Sequence, residues 1–267
     1  MDLFFTFTDA INLNKSLRYM ATLSANKIKF IKSLAQKKFR DQHNLFIAEG
    51  EKVVAEALAS GYNVKEVYYE NEIGREAMER ISCLASPSPV LAVIEKPDFT
   101  PDSLLNNLHS HNSSGRKPLY LALDGVKDPG NLGTIIRVAD WFGVDAIFAS
   151  PGSVEVWNPK VVQATMGAIF RKQVIYTDLA DVCRKFSEAG LPVYGTFLDG
   201  KNLYENLPQE AKHGLVVMGS ESFGISLALE SLITNKLLIP PYPADASTSE
   251  SLNVAIATAI ICAEFRR

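Results

Sequence analysis

Apolar runs of strand length recur through the C-terminal half of the chain, at residues 119–123, 144–149, 173–176, 192–197, 215–218 and 236–239. Most are separated by helical patterns. The clearest, 132–142 and 179–186, close on Gly143 and Gly190, where a left-handed residue commonly ends a helix. A strand with one wet face alternates polar and apolar residues, whereas a continuously apolar strand is covered on both faces. The expected fold class is therefore α/β, with a mostly parallel C-terminal sheet carrying helices on both faces.

The preceding residues are organised differently. Residues 27–38, K-I-K-F-I-K-S-L-A-Q-K-K, set Ile28, Ile31, Leu34 and Ala35 at helical spacing with lysines on the remaining face, which predicts one basic amphipathic helix. Strands are expected at 46–48, 64–69 and 90–94, and helices at 49–60 and 72–84, giving a small α/β module. Residues 96–117 are rich in Pro, Ser, Asn and Gly and lose apolar periodicity after Leu108. The expected division is a weakly patterned leader at 1–19, a candidate for disorder, then a module at 20–108, a linker at 109–117 and a second domain at 118–267.

Composition excludes several classes. With 47% hydrophobic and 21% charged residues the chain is neither disordered nor fibrous. No apolar run approaches the roughly 20 residues of a membrane span. Asp2 and the short run 3–7 do not make a signal peptide, so an unexported, cytoplasmic protein is expected. Cys83, Cys183 and Cys262 are unpaired in sequence and read as buried free thiols; the four histidines are unclustered, so no metal is expected. The net charge of −3 argues against nucleic-acid binding over the whole surface. From Lys15 to Lys52, however, nine cations face three acids, and Lys27, Lys29, Lys37, Lys38 and Arg40 form a candidate phosphate-contacting surface.

Three glycine-punctuated segments follow strand ends: D-P-G-N-L-G-T-I-I-R-V-A-D-W-F-G at 128–143, M-G-S-E-S-F-G-I-S at 218–226, and I-P-P to S-L-N-V at 239–254. Each falls where an open α/β sheet presents backbone groups to a ligand. Taken singly they have ordinary readings. Asn131 and Ser251 suit helix N-caps, Glu221 suits a helix start, and Arg137 could pair with Asp140 in solvent. A dinucleotide site is disfavoured because Gly130 and Gly133 give G-N-L-G and Asp145 comes too early; the P-loop lysine is also missing.

Taken together, the segments resemble the three motifs of the SpoU/TrmH branch of the SPOUT RNA methyltransferases. The likeness extends to Met166-Gly167-Ala168-Ile169-Phe170-Arg171 and to Gly195-Thr196, and covers about residues 119–265. The basic module is similar to the L30e-like RNA-binding domain that often precedes this fold. The resemblance implies a homodimeric, S-adenosylmethionine-dependent 2′-O-ribose methyltransferase with a deep C-terminal trefoil knot, acting on structured RNA, ribosomal favoured over transfer RNA. It places Arg137 as the main catalytic residue, with Asn131, Glu221, Ser251 and Asn253 ordering the site. The cofactor would lie against Gly195, Thr196, Gly219, Ile239 and Leu252.

An arginine, with a pKa above about 12, is a poor proton acceptor, so phosphate binding and polarisation of the hydroxyl suit Arg137 better than base catalysis. One departure from the family pattern is Pro240-Pro241-Tyr242-Pro243 with about three extra residues before Ser251, so the loop at 241–250 should differ in shape. The competing readings are a non-catalytic RNA-binding protein that keeps the fold, and a Rossmann-type enzyme with affinity for NAD or ATP.

Overall fold

The computed structural model describes residues 23–99, 105, 117–205, 212–243 and 251–267. The expected leader, most of the linker and residues 244–250 lie outside the described residues.

The N-terminal module is a three-stranded antiparallel sheet of order β1-β3-β2, formed by β1 (Leu45–Glu49), β2 (Val64–Tyr69) and β3 (Val90–Glu95). Its helices are α1 (Ala25–Ser33), α2 (Lys37–His43), α3 (Glu51–Ala59), α4 (Glu70–Ile73) and α5 (Arg75–Ile81). The period-2 alternation of β1 and β3 gives the sheet two buried faces. Ile47, Leu91 and Val93 meet Ile28, Ile31, Met78 and Ile81 of α1 and α5. Phe46, Ala48, Ala92 and Ile94 face the other way, onto α3 and the second domain.

Two helices differ from expectation. The single helix predicted over 27–38 is broken, because Gln36 is extended at φ −98° and ψ 135°. The guanidinium of Arg40 donates to the carbonyls of Leu34 and Ala35, at 2.9 and 2.8 Å, and so holds the break. The helix predicted over 72–84 is likewise divided, at Gly74, whose φ is +83°.

The second domain is a six-stranded sheet of order β6-β5-β4-β8-β7-β9, parallel at every pairing. Its strands are β4 (Leu119–Asp124), β5 (Ala146–Ala149), β6 (Val174–Tyr176), β7 (Val193–Asn202), β8 (Gly214–Gly219) and β9 (Asn235–Leu238). The helices are α6 (Pro129–Trp141), α7 (Pro159–Thr165), α8 (Leu179–Glu188), α9 (Leu227–Glu230) and α10 (Val254–Arg266), with a 3-10 turn at Ala168–Phe170. Leu119, Leu121 and Leu123 pack with α6, α7 and α10 on one face, and Tyr120 and Ala122 with α8 and α9 on the other.

Strand order reverses between β4 and β8, whose ends pair as Asp124 with Gly219. Such a switch point opens a crevice at the carboxyl edge of a parallel sheet. The trefoil knot implied by the resemblance depends on the path between β9 and α10, part of which, 244–250, lies outside the described residues.

One apolar core runs through both domains. Phe46 stacks on Trp157 at 4.6 Å between centroids, and Tyr62 meets Phe170 edge-on at 5.1 Å and donates its hydroxyl to the Ile169 carbonyl at 3.2 Å. Arg40 pairs with Glu155, and Arg171 with Glu56, across the same junction.

Candidate active site

At the carboxyl edge of β7, β8 and β9 lies a cavity of about 360 Å³, of the size that small-molecule sites commonly have. One wall comes from β7. Thr196 and Lys201 both register with Leu237 of β9, so residues 197–200 bulge outward, and Phe197 and Leu198 line the cavity. Met218, Gly219, Ser220 and Glu221 form the floor, and Leu238, Ile239, Ser251, Leu252 and Val254 close it from β9 and the start of α10. Apolar walls with the Glu221 carboxylate and a few hydroxyls suit a small, partly apolar ligand held by a few polar contacts.

Four of the five residues expected at a cofactor, Thr196, Gly219, Ile239 and Leu252, line this cavity. Gly195 does not. A Cβ there would meet the Phe197 ring at 2.8 Å and Ile225 and Ile233 at 3.0 Å, so it is a close-packing position behind the wall.

The first and second motifs meet beside the cavity. Asp128, not Asn131, caps α6: its side chain accepts from the Asn131 N–H at 2.8 Å, with Pro129 at the first helical position. Because the cap is already supplied, the Asn131 amide is free to donate to Glu221 and to accept from the Asn253 side chain at 2.9 Å. Asn253 in turn caps α10 through its side-chain oxygen, the role expected of Ser251. Glu221 sits in a tight turn rather than at a helix start. Ser220 and Gly224 exchange backbone hydrogen bonds at 3.0 and 2.9 Å, and Asp124 anchors the turn by accepting from the Ser226 N–H at 2.8 Å.

Arg137 lies on α6 almost two turns beyond Asn131. It is exposed and has no ionic or hydrogen-bonding partner among the described residues. The pairing with Asp140 does not form, because Asp140 is bound to Arg171 at 2.9 Å.

Sequence reasoning missed Asp128, Asp124 and the β7 bulge. The first was signalled by D-P-G-N, an acid directly before a first-turn proline. The other two carried no local signal.

The basic surface is only partly as expected. Arg40 is 2% exposed and ion-paired with Glu155, so it is not available to phosphate. Lys27 is drawn to Glu66 at 2.6 Å, and Lys37 pairs with Asp41. Lys29 and Lys38 are exposed and have no ionic partner among the described residues. Replacing Arg40 with alanine would leave Glu155 uncompensated, an expected loss of about 3 kcal/mol measurable by urea unfolding. Unchanged stability with weakened RNA affinity would instead make Arg40 a phosphate contact.

The cysteines are not poised for chemistry. Burial pushes the Cys183 thiol up to about 11 and the Cys262 thiol up to about 12, so neither is a thiolate at neutral pH. Among the described residues no group of three or more His, Cys, Asp and Glu could hold a metal, and no helix is long and apolar enough to cross a membrane.

The SpoU rRNA Methylase family matches residues 118–263, and an MRM3-like substrate binding domain matches residues 25–97. The chain is 32% identical to the 23S rRNA (guanosine(2553)-2'-O)-methyltransferase RlmP of Bacillus subtilis, over 94% of this chain and 100% of that one. An AdoMet-bound rRNA methyltransferase from Sinorhizobium meliloti is 31% identical with a TM-score of 0.79, covering 92% of this chain and 96% of that one. A TrmH-family protein from Porphyromonas gingivalis is 39% identical with a TM-score of 0.75, covering 92% and 99% respectively.

Proposed function

The chain belongs to the SpoU rRNA methylase family, and we propose that it methylates a ribose 2′-hydroxyl of ribosomal RNA, using the cavity for S-adenosylmethionine and the exposed Arg137 of α6 for the RNA. The observation that carries the assignment of roles is the bonded set Glu221–Asn131–Asn253. It joins all three motifs at the edge of the cavity and leaves Arg137 free on the same helix as Asn131.

When bound, the cofactor supplies an electrophilic sulfonium methyl. The protein supplies orientation, exclusion of water and charge. Phe197, Leu198, Met218 and Leu252 provide an apolar wall, and the constrained turn at Ser220 fixes one side. Held in line with the methyl, a ribose hydroxyl needs little more than alignment and loss of its proton. Arg137 binds the neighbouring phosphate through its guanidinium fork and polarises the hydroxyl. Asn131, which donates to Glu221 and accepts from Asn253, ties the first turn of α6 to the start of α10, and Ser251 adds a hydroxyl at the cavity wall.

The remaining assignments belong to the same reading. Residues 20–108 are the RNA-binding domain, 109–117 the linker and 118–267 the knotted methyltransferase domain of a cytoplasmic protein. A homodimer is supported by Trp141, 85% exposed on the α6 face that carries Arg137, and by Ile256, 52% exposed on α10, which packs against α6. Exposed apolar side chains of this size on adjacent helices suit burial against a second copy.

The direct test is transfer of a labelled methyl group from S-adenosylmethionine to rRNA lacking the modification, with 2′-O-methyl sites mapped afterwards. RNA binding without cofactor binding or turnover would instead identify a non-catalytic binder. The basic face carries its own expectation. Replacing Lys29 and Lys38 with alanine should reduce the slope of log affinity against log salt by roughly one to two. An unchanged slope in filter-binding titrations would remove this face from the RNA contact.

A further inference from the structure

We propose that Arg171 is a positioning residue that keeps Arg137 available to RNA by occupying Asp140, the acid that would otherwise pair with it. The inference rests on the role given to Arg137 above. On α6, Arg137 and Asp140 are three residues apart, a spacing at which opposite charges on one helix meet. An isolated helix of this sequence would pair them for much of the time and so hold the guanidinium back from another anion.

The fold prevents it. Nε and a terminal nitrogen of Arg171 both lie 2.9 Å from Asp140 Oδ2, and the other terminal nitrogen donates to Glu56 on α3 of the N-terminal module. The bridge therefore runs from the RNA-binding module, through the residue after the 3-10 turn, to the helix that carries Arg137. Close packing fixes its path. Gly167 has φ +95°, and a Cβ there would lie 2.7 Å from Glu56 Cγ, so the chain leading to Arg171 runs directly against Glu56. With the charge of Asp140 already compensated by Arg171 at Oδ2, α6 carries no uncompensated acid beside Arg137, and a phosphate approaching it meets less opposing charge.

The test uses the full chain with Arg171→Met, Arg171→Met/Asp140→Asn and Glu56→Gln. Two readouts are taken: methyl transfer at subsaturating RNA, and phenylglyoxal labelling of Arg137 followed by mass spectrometry without RNA. In Arg171→Met both should fall about threefold to fivefold, as expected when an exposed ion pair forms, with cofactor affinity unchanged. Adding Asp140→Asn should restore both, and Glu56→Gln should leave the labelling as in wild type.

Labelling of Arg137 that does not change in Arg171→Met would overturn the proposal. So would failure of Asp140→Asn to restore it, or an equal loss in Glu56→Gln, since each leaves Arg171 with only a docking role. The labelling needs no turnover. A wild-type chain that fails to methylate rRNA therefore refutes the functional reading, while the labelling still decides whether Arg171 withholds Asp140.

Discussion

Replacing Arg137 with alanine should lower the single-turnover rate of methyl transfer by about 10²–10³, the loss typical when a preorganised charged donor is removed from the reacting centre. Cofactor affinity and folding stability should not change. Arg137 is absent from the cavity lining, and as an exposed side chain without partners among the described residues it contributes little to folding. This combination separates a catalytic role from a structural one. Arg137→Lys should fall between wild type and alanine, because an ammonium keeps the charge but loses the planar fork that grips a phosphate. Quenched-flow measurement of labelled product, with calorimetry for the cofactor, gives both numbers. Equal rates for Arg137→Ala and wild type would remove this residue from the mechanism.

How much of this was legible in the sequence depends on how far the deciding contact lies from the residue. The strands of the parallel sheet were readable because burial on both faces leaves an unbroken apolar run such as L-Y-L-A-L, and β3, V-L-A-V-I-E, stood out for the same reason, whereas β2, V-K-E-V-Y-Y, was marked by its β-branched and aromatic residues. The break between α1 and α2 was not, since its cause is Arg40, whose other partner, Glu155, is 115 residues away. Nothing in K-K-F-R distinguishes a buried arginine from the solvated lysines beside it.

The candidate site follows the same rule. Its motifs could be found one at a time, but Asn131 is joined to Glu221 and Asn253 across 90 and 122 residues. Only that closure turns three ordinary-looking helix and strand ends into one site. Local chemistry even pointed elsewhere, because Asn131 and Ser251 both suit N-caps that Asp128 and Asn253 in fact supply.

The second large effect is expected at Gly219, where a single methyl group should cost the protein its cofactor. Gly219 ends β8 in register with Asp124, and its Cα faces the turn that carries Glu221. A Cβ added there would lie 2.1 Å from the Gly224 carbonyl carbon, 2.3 Å from the Ile225 nitrogen and 2.5 Å from the Gly224 oxygen. All three are backbone atoms, so no side chain can rotate away and the turn itself must open.

Opening it breaks the Ser220–Gly224 bonds, moves Glu221 away from Asn131 and displaces one side of the cavity. Overpacking of this kind costs about 1–3 kcal/mol of stability. A binding site shifted by about an ångström can lose a hundredfold in activity. Gly219→Ala should therefore weaken S-adenosylmethionine binding at least tenfold by calorimetry, about 1.4 kcal/mol, while the protein stays folded.

Gly224→Ala is the control. Its Cβ meets nothing within 4 Å, but its φ of +66° imposes about 1–2 kcal/mol of backbone strain. It should be somewhat less stable and still bind the cofactor. If Gly219→Ala binds S-adenosylmethionine as tightly as wild type, the cavity beside it is not the cofactor site, and the methyl donor must be held elsewhere on the sheet edge.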